Sequence, residues 1–220
     1  MAEVDFLSRY QKATTRDYIG RVTAYDKAEC ATVARQWGVE YWDGPRQYGY
    51  GGNKYDGRWL PIAQDIAKHY GLKSGDRVLD IGCGKAFLLY ELTRAVPGLE
   101  VAGLDISRYG IENAKEEVRP FLKLGNCTSL PFDSRSFDFV LTINTFHNLE
   151  IFDLKQAVRE VERVGKDKKW ICVESFRNER EKANLLYWQL TCYSFYTPAA
   201  WVWLYKEWGY TGDYGFIYFE

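Results

Sequence analysis

Between Arg77 and Phe176 the sequence alternates short, almost wholly apolar runs with stretches of helical periodicity, and that alternation leaves few folds open. RVLDIG (77–82), VAGLDI (101–106), FLKLGN (121–126), FDFVLTIN (137–144) and KWICVESF (169–176) read as strands, with helices over 86–95, 109–118 and 154–164. A strand wetted on one face alternates apolar with polar side chains. These runs do not, so both of their faces are covered. Strands of that kind alternating with helices mean a parallel sheet between two helical layers, an α/β domain. Residues 180–208 read as helical and rich in aromatics. In the closing GYTGDYGFIYFE, Thr211-Gly212-Asp213 between two β-rich stretches predicts a terminal hairpin.

The first forty residues read as helical, with Phe6, Leu7, Tyr10, Tyr18, Val22 and Tyr25 at roughly helical spacing. From Tyr41 to Trp59 the chain becomes YWDGPRQYGYGGNKYDGRW, whose glycines rule out a regular helix. A loop of that length is functional or mobile. Leu60 to Tyr70 returns to helical periodicity, and Gly71 with Ser74-Gly75 supplies the stop. The expected organisation is one domain: residues 1–70 as a helical cap and Gly/aromatic lid loop, and residues 71–220 as the core.

Lys and Arg number 29 against 30 Asp and Glu, a net charge of −1, and no stretch clusters the basic residues. That disfavours a nucleic-acid partner. The sequence holds no long apolar run and no charged-then-apolar leader, so neither a membrane span nor a signal peptide is expected and the location reads as cytoplasmic. Five widely spaced cysteines without CxxC pairs argue against a disulfide framework or a thiolate zinc site, and two histidines argue against a histidine-rich metal centre.

The chemistry-bearing motif follows the first strand. Gly82-Cys83-Gly84 lets the backbone turn tightly and approach a ligand, and Asp105 ends the next strand about 20 residues on, where its carboxylate can accept the hydroxyls of a ribose. NAD and S-adenosylmethionine sites share this layout. Asp80, two residues before Gly82, would repel a pyrophosphate but stabilise an ammonium, and Phe87 stands where the dinucleotide fingerprint has its third glycine. Both facts favour the sulfonium cofactor over NAD.

These segments resemble the class I S-adenosylmethionine-dependent methyltransferases. VLDIGCGKAFLLYEL is similar to their first motif, VAGLDIS to their acidic second-strand end, and GNCTSLPFDSRSFDFVLTINTFHNL to the segment from adenine contact to active-site edge. The resemblance covers roughly residues 71–176. It implies a Rossmann-like, seven-stranded, mostly parallel sheet with an antiparallel last strand. It also implies S-adenosyl-L-methionine bound along Gly82, Gly84, Asp105, Ile106 and Asn144, with adenine beside Asn126 and Cys127 and S-adenosyl-L-homocysteine as product. Asn126 stands where many relatives have Asp, its amide oxygen still able to accept from the adenine amino group; Ala86 replaces the usual third glycine. YGYGGNKYDGRW resembles a group of bacterial methyltransferases that decorate surface polysaccharides and related small metabolites.

A hydroxyl acceptor needs its proton removed, and His147, just past the fourth strand, is the candidate general base. Tyr50 and Arg58 are expected in the lid, Arg58 pairing the methionine carboxylate. Glu174 and Arg177 could reach the acceptor from the other side, or equally form an exposed salt-bridging pair. Asn144-Thr145-Phe146 departs from the Asn-Pro-Pro-aromatic signature of enzymes that methylate planar nitrogens. The expected activity is therefore methylation of a small polar acceptor: a sugar, a nucleotide-linked sugar or a phosphorylated metabolite. A protein or RNA methyltransferase, and a catalytically silent cofactor-binding scaffold, stand as alternatives.

Overall fold

The computed structural model describes residues 1–8 and 16–220, so the expectation that Tyr10 belongs to an N-terminal helix lies outside the described residues. Helices α1 (Tyr18–Thr23), α2 (Lys27–Ala34) and α3 (Val39–Trp42) lead through a loop to α4 (Leu60–Tyr70). The sheet region follows as β1 (Arg77–Ile81), α5 (Phe87–Ala95), β2 (Glu100–Asp105), α6 (Arg108–Glu112), β3 (Leu122–Leu124), β4 (Phe137–Ile143), α7 (Ile151–Val164) and β5 (Gly165–Glu174). The chain ends with α8 (Glu179–Trp188), α9 (Pro198–Glu207) and β6 (Asp213–Ile217).

The strands lie in the order β3-β2-β1-β4-β5-β6, every neighbouring pair parallel. Along each strand the apolar side chains point alternately to two cores. Val78, Phe139 and Trp170 pack with Ile62 and Ile66 of α4 and Leu89 and Leu92 of α5. Leu79, Val140 and Ile171 pack with Leu154, Val158 and Val161 of α7 and Trp201 and Tyr205 of α9. This is the doubly covered sheet that unbroken apolar runs demand. Helix α4 stops where expected, at Gly71 with φ of 57° and ψ of 46°, the left-handed cap that costs glycine nothing.

Several expectations need correction. The sheet has six strands rather than seven among the described residues, and its last strand is parallel rather than antiparallel. Among the described residues there is no terminal hairpin. Residues 175–212 carry α8, whose Leu185 packs into the first core, and α9, whose Trp201 and Tyr205 pack into the second, and return the chain to the start of the sheet, so β6 enters in the same direction as β5. Thr211, expected in the turn, instead donates its amide to Glu162 (2.7 Å). On the outer edge of β6, residues 2–4 add one parallel bridge, with Val4 N donating to Tyr214 O at 2.8 Å. The helix expected over 109–118 ends at Glu112, since the Lys115 amide turns to the carbonyl of Lys85 (3.1 Å). The segment 180–208 is two helices, the second opened by Thr197 and Pro198.

The strand order reverses between β1 and β4. The carboxyl ends of those two strands therefore open a crevice, and the segments that follow them meet there.

Candidate functional site

The chain leaves β1 through a turn that only small residues can make. Gly82 and Gly84 have φ of 81° and 54°. A Cβ on Gly82 would stand 1.9 Å from Thr145 Oγ1, and one on Gly84 would stand 2.5 Å from the Trp42 ring. Ala86 continues in the left-handed region at φ of 56°, so its methyl is accepted with some strain. Asp105 pins this loop to the end of β2. Its Oδ2 accepts from Gly84 N and its Oδ1 from Ser107 N, both at 2.7 Å. Burial raises its pKa, and the amides of Ser107, Gly84 and Ile106 oppose that.

Two cavities border the loop, and a third adjoins them at Tyr50 and Asn144. Of the residues singled out from sequence, Tyr50, Gly82, Asp105, Ile106, Asn126, Cys127 and Asn144 share one of about 280 Å³. Asp80 and Gly84 line a smaller one of about 120 Å³, again with Tyr50, Gly82 and Asn144. Asp80 is buried, and burial and then the charge of Asp105 push its pKa up to about 8. Among the described residues no cation pairs with it. Asn144, at φ of 57°, keeps its Oδ1 buried without a hydrogen-bond partner. A buried carboxyl with no cation beside it and an orphaned amide oxygen suit a cation and disfavour a pyrophosphate.

Two expectations shift. Arg58 borders none of these cavities; it is half-exposed and ion-paired with Asp56, its neighbour two residues away. The Asn126 amide oxygen already accepts from the amide and the hydroxyl of Thr128 (3.0 Å each), in the local turn Asn favours. Asp153, in the first turn of α7, supplies the carboxylate on that side of the larger cavity.

His147 lies in a third cavity of about 200 Å³ that shares Tyr41, Tyr50, Asn144 and Asn148 with the first. Its Nδ1 accepts the Glu174 amide at 3.2 Å, so its proton sits on Nε2, 3.6 Å from Glu174 Oε2. Burial lowers the His147 pKa to about 3 and raises that of Glu174 to about 8; the Gln189 amide hydrogen-bonds the same carboxylate. Arg177 is directed away, to Glu181 and Glu220.

Residues 41–59 close over the crevice by contacts that sequence reasoning missed. Trp42 Nε1 donates to Ser107 Oγ (2.8 Å), and its ring stacks on Tyr50 with centroids 5.3 Å apart. Buried Lys85 sits 2.7 Å from both oxygens of Asp43. Tyr55 donates to buried Glu91 at 2.5 Å. The available signal was a lysine inside a glycine turn and an aromatic cluster too dense for a solvated linker.

A protein-family model described as a methyltransferase domain matches residues 72–209. An uncharacterised protein of Methanocaldococcus jannaschii is 38% identical over 113 residues, covering 51% of this chain and 42% of that protein. The demethylmenaquinone methyltransferase of Lysinibacillus sphaericus is 34% identical over 121 residues, covering 52% and 51%. The chain thus spans about half the length of the curated relatives it matches. Among solved structures, the YcgJ protein of Bacillus subtilis has the same fold, with a TM-score of 0.56 at 22% identity over 70% of this chain and 68% of that one.

Proposed function

Since this chain belongs to the methyltransferase-domain family, of the class I S-adenosylmethionine-dependent kind, we propose that it moves a methyl group onto a hydroxyl of a small polar acceptor. One observation carries the reading. A cavity suited to an adenosyl sulfonium and a cavity floored by a buried carboxylate meet at Asn144 and Tyr50.

The Asp105 carboxylate, with Gly84 N on one oxygen and Ser107 N on the other, is the acceptor for the ribose hydroxyls. Asp153 is the acceptor for the adenine amino group. Asp80 and Asn144 Oδ1 receive the positively charged end of the cofactor. Bound there, S-adenosyl-L-methionine supplies a methyl group on a cationic sulfur, open to in-line displacement. The protein's part is to align the acceptor, exclude water and take a proton. Trp42, Tyr50 and the rest of residues 41–59 form the cover.

Glu174 is the base in this reading. A buried carboxylate with its pKa near 8 is matched to removing a hydroxyl proton close to neutrality. His147, the first candidate from sequence, has its lone pair engaged by the Glu174 amide and is held neutral. It acts as a positioning residue, its Nε2–H facing the carboxylate.

Calorimetry with S-adenosyl-L-homocysteine tests the proposal. Binding is expected in the parent, and Asp105→Ala should lose roughly 1.5–3 kcal/mol for each ribose hydrogen bond removed. A parent that binds neither the cofactor nor its demethylated product overturns it. The acceptor class follows from methyl transfer into a cell metabolite extract, with mass identification of what gains a methyl.

A further inference from the structure

We infer that the acceptor carries a phosphate group, held by the guanidinium groups of Arg16, Arg21 and Arg46 in the cavity floored by Glu174. The inference rests on the methyl-transfer reading above and names the substrate class of the same site.

The three guanidinium carbons gather around one indole, 5.6, 4.6 and 5.0 Å from the ring centre of Trp188, and all three residues line the cavity. Among the described residues none is ion-paired with a carboxylate. Arg21 donates to the carbonyls of Trp188 (2.8 Å) and Arg46 (3.2 Å), and Arg46 to that of Gly49. Arg16 Nε is buried with no hydrogen-bond partner. Burial, and then the charge of Arg46, lower the Arg21 pKa to about 10. The cluster is unfavourable as it stands.

Packing alone does not account for it. Cation–π contacts contribute about 0.5–1 kcal/mol at exposed sites and about 2 when desolvated, and against them stand the partial burial of Arg16 and Arg21 and the mutual repulsion of three neighbouring cations, of which only Arg46 is exposed. Nor is it part of a generally basic surface, since the chain's net charge is −1. Among the described residues, the single acidic side chain lining the cavity is Glu174, whose carboxyl carries its proton until the pH approaches about 8. The arginines therefore lack a counter-charge that a ligand would bring. A phosphomonoester dianion offsets two of the three guanidinium charges while Glu174 holds its proton, and all three once Glu174 ionises; a ligand carboxylate offsets only one. Guanidinium forks also match phosphate oxygens in geometry. A cavity of about 200 Å³ takes a small phosphorylated molecule and not a nucleic-acid strand. With its phosphate on the arginines, such an acceptor can turn a hydroxyl toward Glu174 and the wall shared with the cofactor cavity.

The test titrates inorganic phosphate, and separately acetate, into the protein saturated with S-adenosyl-L-homocysteine. Phosphate is expected to bind and acetate to bind at least about tenfold more weakly. Arg16→Gln and Arg21→Gln should each weaken phosphate about tenfold or more and leave S-adenosyl-L-homocysteine affinity within about twofold. Acetate binding as tightly as phosphate, no phosphate binding by the parent, or phosphate binding unchanged in both variants each overturns the inference. The parent titrations decide even if a variant fails to fold. Absence of S-adenosyl-L-homocysteine binding strikes the methyl-transfer reading instead, and the phosphate titration remains interpretable without it.

Discussion

Individual residues at the crevice are constrained for different reasons, and their substitutions should fail differently. Gly82 is limited by space: with Thr145 Oγ1 1.9 Å from where a Cβ would be, Gly82→Ala must push the segment after β4 out of the crevice. We expect it to fold less stably by about 1–3 kcal/mol and to lose S-adenosyl-L-homocysteine binding; normal affinity by calorimetry would contradict the cradle described here. Glu174 is limited by charge. Its pKa near 8 predicts that kcat/KM rises with pH and levels off above about 8 as the base ionises. Glu174→Gln should remove that limb and cost about a hundredfold or more. His147→Gln should cost less and move the apparent pKa rather than abolish it. If His147→Gln abolishes the limb and Glu174→Gln keeps it, the roles are reversed. The glycines and Asp105 were legible from spacing because backbone geometry dictates them. Glu174 was visible only as a candidate, since nothing local to 169–176 reveals that an imidazole and an amide from other segments face it.

At the scale of elements, the apolar runs of β1, β2, β4 and β5 and the periodicity of α4, α5 and α7 were legible because each must bury a defined face. Direction of the last strand was not, because it is decided by where the α8–α9 crossover ends rather than by any residue in β6. Nor did aromatic content distinguish the cap from the surface. Trp42 and Trp203 illustrate it: one is 7% exposed between Gly84, Ser107 and Tyr50, the other 59% exposed on α9. If α3 and the loop after it are an integral layer, Trp42→Ala should destabilise the fold by about 3–5 kcal/mol. Trp203→Ala should stay within about 0.5 kcal/mol. Urea unfolding of both variants measures this. A small loss for Trp42→Ala would instead make residues 39–59 a flap that opens without unfolding the core.

At the scale of the whole molecule, the carboxyls of Asp80 and Glu174 and the imidazole of His147 are buried where they cannot comfortably charge, and this should be readable in its stability. Asp80 and Glu174 have folded pKa values near 8, above those of the unfolded chain, so the stability they contribute is complete below the ordinary carboxylate range and is lost as pH rises toward 8. His147 is depressed to about 3; its contribution is present above the ordinary histidine pKa and is lost as pH falls from about 6.5 to about 3. Together these three groups put their stability maximum within the ordinary carboxylate range, about pH 4, with a decline toward pH 8 of at most about 1.4 kcal/mol per pH unit for each carboxyl. Glu174→Gln removes one titrating group and should flatten that decline. An ammonium bound beside Asp80 favours its ionised form, so S-adenosyl-L-homocysteine should release a proton on binding below pH 8 and bind more tightly as pH rises. Denaturant unfolding between pH 5 and pH 9, with and without S-adenosyl-L-homocysteine, follows both effects. A parent and Glu174→Gln with the same slope, or ligand affinity independent of pH across this range, would mean that these carboxyls are ionised in the folded protein, and that the crevice holds counter-charges other than a ligand's.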